Sequence, residues 1–160
     1  MTGSARDRRL RLLQAKKAEQ LKDRLSAFDT GEFAQWPDFP EWLRAEFVKT
    51  RRTTAEPDSV LPESADDDEI RAWQAEFAAR AGLDGRLYVL TGVDDFPWLY
   101  CAARDDRWAE EIGEVLGYGW TAIGAGKDRL VVFYEEEYEY QAFLVAPGHL
   151  RDDDGRLREL

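Results

Sequence analysis

Cysteine, histidine and methionine each occur once in this 160-residue chain. The lone Cys101 excludes an internal disulfide and fits a reducing cytoplasm. The lone His149 excludes paired-histidine metal motifs, and no CxxC or HExxH spacing occurs. No metal and no cofactor is therefore expected. His149 lies beside Pro147-Gly148 near a polar end, a poor place to hold a general base. A nucleophilic Cys101–His149 pair rests only on each residue being unique. No apolar run approaches the roughly 20 residues of a membrane span. The opening MTGSARDRRLRLL is basic but lacks the apolar stretch of a signal peptide. Lysine is also scarce, with 5 against 17 arginines, an excess of the kind GC-rich bacterial coding produces.

What the chain has in plenty is acid and aromatic side chains. Its formal charge is −11, hydrophobic residues make up 44% and aromatics 12%. That is enough apolar material for one core, and wholesale disorder is excluded. The charge is uneven. Residues 1–28 hold eight Lys/Arg against three acids, or +5, and the remainder holds 14 basic and 30 acidic residues, or −16. The acidic body repels nucleic-acid phosphate and anionic lipid and attracts cationic proteins.

Three regions follow: a basic amphipathic helical arm (1–29), an acidic α+β domain (30–150) and a polar, frayed tail (151–160). Leu10, Leu13, Leu21, Leu25 and Phe28 recur near helical spacing, so a helix is expected from Arg6 to Phe28. Residues 32–39 read as a loop, 41–49 as a short helix behind Pro40, and 50–68 as a Pro-containing linker. A helix is expected from Glu69 to Ala81, capped by Asp68. Asp66, Asp67 and Asp68 serve capping better than cation binding, because the alternating ligands and distal Glu of a calcium loop are missing. Strands are expected at 86–91, 98–103, 120–124 and 130–134, with a helix from Asp105 or Asp106 to Leu116. Residues 138–145 read as a further strand, although three consecutive glutamates leave a helix from 134 to 145 open. The sum is α+β: a twisted, mainly antiparallel sheet in the C-terminal half, helices on one face and an N-terminal helical arm.

The conspicuous stretch is Arg129–Val145, RLVVFYEEEYEYQAFLV. It sets Glu135, Glu136, Glu137 and Glu139 among Tyr134, Tyr138 and Tyr140. Tyrosines offer large contact area at low entropic cost, and carboxylates steer and bond Arg or Lys. Asp94, Asp95 and Trp98 join this partner-binding set if the strand order brings them to the same sheet end. No catalytic residue is assigned. Carboxylate pairs near tryptophan also suit glycosidase-type acid–base work, but acids this abundant pair by chance. Gly117-Tyr-Gly119 and Gly124-Ala-Gly126 lack the Lys-Ser/Thr ending of a phosphate loop.

In size, charge and fold class the chain is similar to bacterial immunity proteins. That resemblance implies a non-catalytic inhibitor that occludes the basic cleft of a toxin or other cationic protein. It carries over no motif and no residue. A regulatory or scaffold protein docking through the basic arm is the alternative, and a small carboxylate hydrolase the second. The chain is expected as a monomer or an arm-mediated dimer. The acidic strip has a further option, which is to face the chain's own basic helix.

Overall fold

The structure is a computed structural model and describes residues 4–158. Among these, four α-helices, seven strands and a short 3₁₀ turn (Trp36–Asp38) are formed. The helices are α1 (Ala5–Arg24), α2 (Glu41–Lys49), α3 (Asp67–Arg80) and α4 (Trp108–Leu116). The strands are β1 (Phe28–Ala34), β2 (Ser59–Pro62), β3 (Arg86–Leu90), β4 (Trp98–Ala103), β5 (Thr121–Gly124), β6 (Leu130–Glu135) and β7 (Glu139–Val145). They build one sheet in the order β1-β4-β3-β5-β6-β7-β2, antiparallel at every pairing. The fold is α+β.

The sheet is covered on both faces, not one. Val131 and Phe133 of β6 point into a cluster with Leu21 of α1, Leu25 just beyond its end, Ala78 of α3 and Ile112 of α4. Leu130 and Val132, one residue out of phase, point into a second cluster with Leu43 and Phe47 of α2 and with Phe39. Side chains alternate across a strand, so burial of both faces requires a continuous apolar run. That is why residues 130–134 read LVVFY rather than an apolar–polar alternation.

Two strands come from segments expected to be irregular, and both are edges. Residues 28–34 form β1 on β4, with a register shift between Thr30 and Phe33. The preceding helix therefore ends at Arg24 rather than Phe28. Residues 59–62, inside the expected linker, form β2 on β7. Pro62 ends that strand at an edge, where its missing N–H breaks no ladder. Both edge strands are partly exposed along their length, so they lack the continuous apolar signature of central ones.

Helix α3 begins two residues earlier than expected. Asp66, not Asp68, is the N-cap: its Oδ1 accepts from Glu69 N at 2.8 Å, and Glu69 answers as a capping box. Residues 134–145 are strand and turn rather than helix, with Glu136 N donating to Glu139 O at 3.0 Å across the β6–β7 hairpin.

Residues 151–158 are docked, not frayed. Arg151 is 1% exposed. Its guanidinium donates to Leu144 O at 2.8 Å, Glu56 O at 3.2 Å and Asp58 Oδ2 at 2.6 Å. Gly155 lets the segment close against α2. At φ +86°, a Cβ there would stand 2.6 Å from Lys49 O.

Candidate functional site

The β6–β7 hairpin carries the acidic strip. Glu135 pairs with Tyr140 as the last register position, so Glu136, Glu137 and Tyr138 form the turn beyond the ladder. Glu135, Glu136, Glu137 and Tyr138 are exposed, and Tyr138 is 70% exposed. Glu139 is half-buried and accepts from Gln141 Nε2 at 2.9 Å. Among the described residues, none of these four glutamates forms an ion pair.

The three tyrosines do not share a surface. Tyr134 lies on the α2 face, where its hydroxyl and Thr50 Oγ1 are 2.8 Å apart and its ring meets Phe143. Burial pushes its phenol above the ordinary tyrosine value. Tyr140 lies on the opposite face, edge-on to Tyr118 at 5.6 Å. Tyr118 in turn donates to Asp67 at the start of α3, and that bond raises its phenol as well. Strand alternation forces this split, since Tyr140 pairs with Glu135, one residue out of phase with Tyr134. Tyr138 alone is free to enter a partner.

The loop holding Asp94 and Asp95 stands at the same sheet end as the tip. β3 and β6 both run toward that end, with β5 between them. At about 4.8 Å per strand, the two hairpin tips are separated by roughly 14 Å. Asp95 is tied down: its N–H donates to Gln14 Oε1 of α1 at 2.9 Å, and its carbonyl accepts from Gln35 Nε2 at 2.8 Å. Trp98 is 0% exposed and packs edge-on against Trp36 at 5.0 Å, so it is core and not contact surface.

The basic helix α1 does not cover the acidic strip. It lies on the α4 side, where Arg24 Nη2 donates to Val115 O at 2.7 Å, and it reaches Asp95 through Gln14. The residues that do face the tip come from the end of α2. Arg51 and Arg52, with Thr50, border an open groove of about 410 Å³ whose far wall is Tyr134, Glu136, Glu137 and Glu139. Arg51 itself lies over the Phe47 ring at 4.8 Å. The sequence carried no signal for this neighbour, because Arg51-Arg52 opens a polar stretch that reads as linker.

A second constellation was also out of reach. Asp58, in the same expected linker, lies 2.5 Å from His149 Nε2 through Oδ1. Its other oxygen accepts from Leu144 N and Arg151 Nη2, each at 2.6 Å. His149 is thus held by a fixed carboxylate, not loose beside Pro147-Gly148. The uniqueness of His149 was the only trace of this in the sequence.

Cys101 is fully buried on β4, and burial pushes its thiol up to about 12. Such a thiol does not serve as a nucleophile. Among the described residues, no group of three His, Cys, Asp or Glu side chains has the geometry to hold a metal ion, and no helix is long and apolar enough to cross a membrane. Compared with models of known families, with curated proteins and with solved structures, the chain matches none.

Proposed function

We propose that this chain is a non-catalytic protein-binding module that presents its acidic hairpin tip to a cationic protein surface. The observation that carries this is Tyr138: a 70% exposed aromatic set among glutamates that form no ion pair among the described residues. An aromatic anchor ringed by unpaired carboxylates combines steering with a desolvatable contact. The mode is that of an immunity-type inhibitor. Glu135, Glu136 and Glu137 stand in for phosphate or substrate charge in a basic cleft, and Tyr138 fills it. The bacterial, cytoplasmic setting belongs to this reading.

The test uses the immobilised chain at low salt against lysate of the native cell. It is expected to retain a basic protein one-to-one, to release it as salt rises, and to lose it on Glu136→Lys with Glu137→Lys or on Tyr138→Ala. Retention indifferent to both changes would show that the tip is not the interface.

A second reading is favoured by the first turns of α1, where Leu10, Leu12 and Leu13 are 48%, 70% and 52% exposed beside Arg6, Arg8, Arg9 and Arg11. A docking arm would look like this. Its test is removal of residues 1–13 only, because Leu21, Leu25 and Phe28 are buried in the body and a longer truncation would open the core.

A further inference from the structure

The cavity between α3 and the β2–β7 edge lies at the opposite end of β7 from the acidic tip. It measures about 290 Å³ and is walled by Trp73, Phe77 and Leu144, with His149, Ser59 and the Glu76–Arg80 pair at its polar margin. That is close to the size of small-molecule sites, and the mix of aromatic walls with a few converging polar groups is their usual chemistry.

The polar groups are not equivalent. Asp58 already accepts from three donors: His149 Nε2, Leu144 N and Arg151 Nη2. A carboxylate engaged in this way, and ion-paired to a buried arginine, accepts rather than donates. His149 Nε2 therefore carries the proton, and in the neutral ring Nδ1 is left as an acceptor. Trp73 is likewise fixed, its Nε1 donating to Ser59 Oγ at 2.8 Å, so its ring is a rigid wall rather than a donor for a guest. Each lining carboxylate has a cationic partner, Arg151 from behind the lining and Arg80 within it. Asp58 is matched by Arg151 at 2.6 Å and Glu76 by Arg80 at 2.6 Å. The cavity therefore asks for no net charge from its occupant.

We propose that this cavity binds a small, neutral aromatic molecule carrying an N–H donor, with the ring between Trp73 and Phe77 and the N–H bonded to His149 Nδ1. The site is independent of the hairpin tip and of the partner reading above.

The test uses indole and benzofuran, which share a shape but differ in having an N–H or an acceptor oxygen. Each is titrated into ¹⁵N-labelled full-length protein. Indole is expected to shift the Trp73 indole N–H and the Leu144 amide saturably, with benzofuran at least tenfold weaker. In His149→Phe the two probes should bind alike. If that variant loses its folded spectrum, the wild-type comparison decides alone. The proposal is overturned if indole leaves Trp73 and Leu144 unmoved, or if benzofuran binds wild type as tightly.

Discussion

Arg151 and Asp58 stand 93 residues apart in sequence and 2.6 Å apart in space, with the arginine almost wholly buried. The pair fastens the C-terminal segment to the β2–β7 edge. Replacing Arg151 with Ala strands the Asp58 carboxylate without its cation, and breaking a buried pair in this way costs about 3–5 kcal/mol. Urea unfolding should show a loss of unfolding free energy of that order. Limited proteolysis should then cut within residues 151–158 faster than in wild type.

Arg71 lies across Gly113. A Cβ on Gly113 would stand 1.7 Å from Arg71 Nη1, and the guanidinium stacks on Tyr118 at 4.7 Å. Gly113→Ala must therefore expel Arg71 from between α3 and α4. In an Arg71→Ala background nothing is expelled, and the helical Gly→Ala change should stabilise by about 1 kcal/mol. In wild type the gain should be smaller, since the stack is lost. A double-mutant cycle by thermal or urea unfolding reads the difference.

Cys101 should not react with a disulfide reagent such as DTNB at pH 8 until the protein unfolds. Its folded thiol sits at about 12, above the unfolded value of 9.0. A raised folded value means that its stabilising effect is complete below pH 9 and is lost as pH rises toward 12. Stability should then fall by about 1.4 kcal/mol per pH unit in that window, more steeply above pH 10 because Tyr134 is raised as well. Cys101→Ser should abolish the part of the slope that begins at pH 9.

Asp152 has the opposite sign. Backbone N–H groups of Arg156 and Asp154 donate to its Oδ1 at 3.0 and 2.9 Å and hold the carboxyl below its ordinary 3.8. Its contribution is present above pH 3.8 and is lost as pH falls through the lowered value. Amide protection factors in residues 152–156, taken against the intrinsic exchange rate at each pH, should therefore fall below pH 3.8, and Asp152→Asn should remove that acid step.

Much of the central sheet was legible because the physics that builds it is local. Leu130–Phe133 and Arg86–Leu90 are buried on at least one face and rich in branched or aromatic side chains, so composition alone announces a strand. Phe28–Ala34 and Ser59–Pro62 announce nothing, because an edge strand is defined by its neighbour and not by its own residues. The acidic tip was visible as composition. Its geometry was not, since whether Tyr134 and Tyr140 share a face depends on where the turn falls. Asp58, His149 and Arg151 meet only after the chain has crossed the whole sheet, and no spacing in the sequence encodes that meeting.

The turn Glu136–Tyr138 lies outside every paired position of the β6–β7 ladder. Substitutions there disturb no strand register and open no cavity in either cluster. The surface chemistry of the hairpin can therefore drift while the fold beneath it stays constant. A chain built this way can change what it recognises by rewriting three residues, without first having to find a new way to fold.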